Sequence, residues 1–159
     1  MDAMTTVKRT APFVAAACVA GVLGGCGMPE VPPTPVLVSG TINVPDGMQS
    51  DGKVTVNLYH AWALTGNLRH PIEEIESFEA TVGAYRHEFG YPSDRGEGLL
   101  IYAWLDVDGD GALCSPTVRI DRAGLTEVQG FPAAEVTADN DLTVPCAAPN
   151  WFYPPVPAE

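Results

Sequence analysis

Glycine and proline interrupt this chain too often for a helical fold. Sixteen Gly and fifteen Pro make up nearly a fifth of its 159 residues. Both disfavour helix interiors, glycine through backbone entropy and proline through its missing N–H. Short strands joined by many turns tolerate such punctuation, and the stretches between the breaks have the matching period. Lys53 to Trp62 alternates, with Val54, Val56 and Leu58 on one face and Thr55 and Asn57 on the other. That is a period of two, not 3.6. Val36 to Val44 is rich in β-branched residues and ends at Pro45-Asp46-Gly47, a turn signal. Leu99 to Leu105 is almost continuously apolar, as a central strand covered on both faces requires. An apolar content of 46 % is enough for the core of one domain.

Residues 77–90 read as a hairpin turning at Gly83-Ala84, with glycine first as a type II′ turn wants. That register sets Phe78 opposite Phe89, Ala80 opposite His87 and Val82 opposite Tyr85. It also sets Glu79 against Glu88, which is unfavourable for like charges. Further strands are expected near Thr117–Ile120, Ala134–Thr137 and Leu142–Val144, and a helical turn near Pro71–Glu76. About seven short strands at this spacing predict an all-β chain, a single antiparallel β-sandwich.

The first residues are of another kind. Lys8 and Arg9 precede an apolar run from Ala11 to Leu23, too short to span a bilayer, and Gly24 and Gly25 lead into Cys26. Leu23-Gly24-Gly25-Cys26 resembles the lipobox of bacterial lipoproteins. The resemblance implies thioether lipidation of Cys26, cleavage after Gly25 and a membrane partner held through the acylated cysteine. Losing Asp2, Lys8 and Arg9 with the leader leaves 19 acidic and 6 basic residues, a formal charge of −13. Anionic lipid repels such a chain, so the acyl group and not a basic patch would hold it. The same charge argues against nucleic acid as a partner. Gly27 follows the cysteine where an Asp would resemble an inner-membrane retention signal, which favours the outer membrane of a Gram-negative envelope. Pro29, Pro32, Pro33 and Pro35 make a stiff tether. The expected organisation is therefore a signal peptide at 1–25, a lipidated tether at 26–35, the sandwich at 36–146 and an aromatic, Pro-rich tail at 147–159.

Within the expected sandwich, Val38-Ser39-Gly40-Thr41-Ile42, Val54-Thr55-Val56-Asn57-Leu58, the run from Leu100 to Gly111 and the closing Val136…Leu142-Thr143-Val144 are similar to the transthyretin-like or carboxypeptidase-regulatory-like branch of Ig-like sandwiches. Such modules mostly bind, brace or space other molecules. The resemblance implies a non-catalytic binding or structural module whose partner is an envelope protein or a small ligand.

Cys114 and Cys146 remain once the leader and Cys26 are set aside. In an oxidising compartment a pair of this kind is expected as a disulfide, with two buried thiols as the alternative. Asp106-Val107-Asp108-Gly109-Asp110-Gly111 matches the first half of a calcium loop, with carboxylates at alternate positions and a glycine for the sharp turn. The Ala112 carbonyl fits the seventh ligand position. Thr117 stands where an EF-hand needs a bidentate Glu, so a neighbouring Asp94 or Glu97 would have to complete the shell. Ca²⁺ at Asp106, Asp108 and Asp110 is one reading, and a solvated turn ending a strand is the other.

His60, His70 and His87 share no metal-ligand spacing and read as ordinary strand or loop histidines. Glu73, Glu74, Glu76 and Glu79 read as a solvated acidic face. No nucleophile motif or phosphate cradle is present in the sequence, so no enzyme is expected. Trp151, Phe152 and Tyr153, followed by two prolines, either dock on the sandwich or present themselves to a partner.

Overall fold

The structure is a computed structural model describing residues 31–48, 51–64, 67–92, 98–128 and 130–152. The side chains of residues 62–64, 67–72, 150 and 151 are not described. Residues 1–30 form a separate unit outside this set, and the described residues all belong to the unit Val31–Glu159. The leader, Cys26, Asp94, Glu97 and Tyr153 therefore lie outside the described residues.

Among the described residues nine strands make two sheets: β1 (Thr34–Asn43), β2 (Lys53–Leu64), β3 (Asn67–Ala80), β4 (Gly83–Tyr91), β5 (Gly98–Asp106), β6 (Arg122–Glu127), β7 (Glu135–Thr137), β8 (Asn140–Asp141) and β9 (Val144–Pro145). One sheet has the order β4-β1-β7, with β8 also on β1, and the other has β3-β2-β5-β6-β9. The architecture is the expected β-sandwich. It is not wholly antiparallel, because β7 and β8 both run parallel to β1. β1 starts at Thr34, so Pro35 is a strand residue opposite Gly90 and not part of a tether.

The period-two reading explains the core. Val54, Val56 and Leu58 of β2 are fully buried beside the inner residues of β5, their neighbour in the same sheet, Leu99, Ile101, Ala103 and Leu105, and all pack with Val36, Val38 and Ile42 of β1 in the other sheet. β5 is buried on its other face too. There Tyr102 packs with Ala123 and Ala147, and Tyr59, Trp104, Leu113, Leu125 and Phe152 close round them in a second, smaller cluster. Gly40 is required by contact, since a β-carbon there would fall on the Ala138 carbonyl. That carbonyl accepts the Tyr85 hydroxyl at 2.7 Å, and the Ala138 N–H donates to Ser39 at 2.9 Å.

Three expected elements are corrected. The 77–90 hairpin does not form: β3 pairs with β2 and β4 with β1, so the chain changes sheet at Thr81-Val82. The crossing separates Glu79 from Glu88, giving Glu79 the ammonium of Lys53 and setting Glu88 opposite Leu37. Phe78 and His87 still meet, stacked across the two sheets at 3.9 Å. Residues 71–76 are part of the long edge strand β3 and not a helical turn. The strand expected at Thr117–Ile120 begins only at Arg122. Ser115 Oγ accepts the Val118 N–H at 2.9 Å, which bends the backbone out of the sheet and leaves Val118 and Ile120 exposed.

Candidate functional sites at the two ends of the sandwich

The Asp-rich turn leaves the end of β5. Asp106 is nearly buried and its two carboxylate oxygens accept the N–H groups of Gly109 (2.8 Å) and Gly111 (2.9 Å). Both glycines are left-handed, with φ of 76° and 77°, a conformation that costs glycine little. Asp108 accepts from the Asp110 N–H at 3.2 Å, and Asp110 from the Ala112 N–H at 2.8 Å. The turn therefore folds round its own carboxylates and brings an oxygen of Asp106, Asp108 and Asp110 within 4.8 Å of one another. The Asp108 carboxyl is held above its usual range by desolvation against the turn and by the charges of Asp110, Asp121 and Asp106, partly offset by the Asp110 N–H. A cation would relieve that repulsion, and oxygen-only donors suit a hard one.

The disulfide lies beneath this turn. Cys114 and Cys146 are bonded, as the sequence led one to expect, with their α-carbons 5.6 Å apart. Both cysteines are left-handed, at φ 53° and 52°. Residues with a β-carbon pay roughly 1–2 kcal/mol for that conformation, so something must hold them there. Asp121 does. Fully buried, it accepts the Cys114 N–H at 2.7 Å on one carboxylate oxygen and the Val107 N–H at 2.9 Å on the other. Its own carbonyl accepts the Cys146 N–H at 3.2 Å. One aspartate thus ties the Asp turn, the start of β6 and both halves of the disulfide. The sequence reading missed it because it stands outside the Asp-x-Asp motif.

Phe152 belongs to the fold. It meets Tyr102 edge-on at 6.1 Å, and the Tyr102 hydroxyl donates to the Ala147 carbonyl at 2.9 Å. Burial of Tyr102 raises its phenol, with Tyr59 adding to the shift. For Phe152 this favours docking over presentation to a partner.

His60 lies at the opposite end, across from Leu99 at the start of β5, whereas His87 sits nearer the middle of its sheet. His87 Nε2 is 2.7 Å from Glu76 Oε1 and the ring is stacked on Phe78, so one nitrogen and one ring face are engaged. His60 is different. It continues the inward row of Val54, Val56 and Leu58, is 1 % exposed, and neither ring nitrogen has a hydrogen-bond partner among the described residues. The Tyr91 ring lies 5.6 Å away, but its hydroxyl donates to the Gly98 carbonyl at 3.2 Å. His60 lines a cavity of about 240 Å³ with Glu73, Glu74, Ile75, Gly90 and Pro92. Glu73 is its direct cross-strand partner on β3. The neighbouring pair, Tyr59 and Glu74, is joined by a 3.4 Å hydrogen bond, and burial together with Glu74 pushes the Tyr59 phenol up to about 12. His70 lies on the same strand β3, its side chain undescribed.

No protein-family model matches the chain, and no curated protein matches it either. Among solved structures it is similar to one described as a "putative cell adhesion protein" from Bacteroides eggerthii DSM 20697, at 12 % identity and a TM-score of 0.43. The match covers 70 % of this chain and 41 % of that one. So distant a likeness does not speak for function.

Proposed function

We propose that this chain is an exported lipoprotein, anchored through an acylated Cys26, whose β-sandwich serves as a non-catalytic binding or structural module at a bacterial cell envelope. The observation that carries the reading is the Cys114–Cys146 disulfide, a bond that persists in oxidising compartments and is rare in reducing ones. It agrees with the leader ending at Leu23-Gly24-Gly25-Cys26, and Gly27 after the cysteine favours the outer membrane. Kinship with transthyretin-like modules rests on the strand motifs at 38–42, 54–58 and 100–111. Labelling cells with a lipid precursor tests the anchor. The wild-type chain takes the label and Cys26→Ser does not. A labelled Cys26→Ser protein in the membrane fraction defeats the reading.

A second reading is that the Asp turn makes the module calcium-dependent. The convergence of Asp106, Asp108 and Asp110 supports it, as does the upward shift of Asp108. Extracellular calcium modules function with dissociation constants of about 10⁻⁴–10⁻³ M, so a partial cage suffices. The test is a melting curve with and without millimolar Ca²⁺. A rise that Asp108→Ala abolishes supports the reading, and no rise in the wild type refutes it.

A further inference from the structure

We propose that His60 and Glu73 bind a divalent transition-metal ion such as zinc in the cavity between β3 and β4, a site separate from the Asp turn and independent of the anchor. Buried polar groups are almost always paired, because an unpaired one carries its full desolvation penalty. His60 is buried, and neither ring nitrogen has a hydrogen-bond partner among the described residues, so packing alone does not account for it. A Leu or Val there would extend the inward row without penalty.

The surroundings define what fits. The side chains lining the cavity include two carboxylates, and its other walls are Ile75, Gly90 and Pro92. Glu73 is exposed at the rim while its cross-strand partner His60 lies inside, so the pair spans the cavity from solvent to core. The unprotonated nitrogen of a neutral imidazole and a carboxylate oxygen can both ligate a cation. An imidazole nitrogen selects transition metals over calcium or magnesium. With two protein ligands, the remaining coordination positions are left to water or a donor from another molecule. The strongly acidic chain raises the local cation concentration.

The experiment uses the full chain freed of metal by chelation, titrated with Zn²⁺ by calorimetry and with Co²⁺ by visible absorption. The variants are His60→Leu, Glu73→Gln and Asp108→Ala. The wild type and Asp108→Ala should each take one ion at this site. His60→Leu and Glu73→Gln should bind it at least about tenfold more weakly, the scale on which metal sites respond to loss of a supporting group. In Co²⁺ spectra, bands characteristic of nitrogen ligation should disappear in His60→Leu. If His60→Leu does not fold, Glu73→Gln, at an exposed position, still decides the question. Zinc binding equal in wild type and Glu73→Gln overturns the proposal. So does binding lost only in Asp108→Ala, which places the ion at the other end. No binding at all overturns it as well, and leaves water as the occupant of the cavity.

Discussion

Asp121 and His60 are each only 1 % exposed, and they sit at different ends of the same sandwich under opposite terms. The aspartate accepts backbone N–H groups on both carboxylate oxygens and a third through its carbonyl. The histidine has two ring nitrogens and, among the described residues, no hydrogen-bond partner for either. Burial alone therefore does not distinguish a structural polar group from a functional candidate; the pairing does. Asp121 is consumed by holding two left-handed cysteines and a tight turn. His60 contributes shape to the core and leaves its chemistry unused.

The largest effect expected from breaking this comparison is at Asp121. Asp121→Ala removes the acceptor for two backbone N–H groups and leaves both without a partner. Hydrogen bonds to a charged group contribute about 1.5–3 kcal/mol each, so the loss should be about 3–6 kcal/mol. Urea unfolding measures it. A loss below about 1 kcal/mol, the net worth of one ordinary hydrogen bond, would mean that the turn and the disulfide hold themselves. The double variant Cys114→Ser, Cys146→Ser comes next. The bond closes a loop of sequence separation 32, and chain-entropy reasoning gives about 3–4 kcal/mol. Part of that should return as relief of the two left-handed residues. Mass spectrometry of the unreduced protein should find one linked peptide pair, and two alkylatable thiols would contradict the bond.

At the other end the sign reverses. In chelator, His60→Leu should stabilise the fold by about 1 kcal/mol, because it removes buried polar atoms that have no partner among the described residues. The same substitution at a satisfied group would destabilise. A marked loss of stability in His60→Leu would show that the ring is paired after all, and the contrast with Asp121 would collapse.

These two residues also show what was legible from the sequence. Period-two alternation placed β2 correctly, and read one step further, Val54-Val56-Leu58-His60, it already put the histidine inside. His60 and Glu73 share no sequence spacing, because Glu73 lies on another strand and only the β2–β3 register joins them. The Asp-x-Asp-x-Asp-Gly motif was visible because its carboxylates are local. Asp121 was not, because its partners arrive through a loop that nothing in the sequence aligns. The hairpin error has the same origin. Gly83-Ala84 is good turn chemistry, but a sandwich offers the chain a second sheet. The Glu79–Glu88 clash was the sign that it would be taken. Residues 117–120 look more strand-like than Arg122-Ala123-Gly124, yet backbone bonds to Ser115 and Asp121 decide otherwise.

The smallest effect belongs to Asp108, the exposed counterpart of Asp121, and its sign depends on the solution. The folded turn raises the Asp108 carboxyl above its ordinary value. Below the ordinary carboxyl range, about 3.9 for Asp, both folded and unfolded chains are protonated there and nothing is lost. As pH rises through that range the folded state holds its proton longer than the unfolded one. Stability therefore falls, and at neutral pH the full penalty is present. Asp108→Asn keeps an oxygen for the Asp110 N–H and removes the charge. In chelator and low salt at about pH 7 it should melt slightly above the wild type, and the difference should vanish near about pH 3, where the carboxyl is protonated in both states. Adding Ca²⁺ at about ten times a millimolar dissociation constant should invert the order, since only the wild type then gains the stabilisation that ligand binding confers. If the Asp108→Asn variant melts no higher in chelator, the carboxylates do not repel one another as their positions imply. If calcium raises both proteins equally, the ion binds elsewhere, and the turn is a structural cap like the aspartate beneath it.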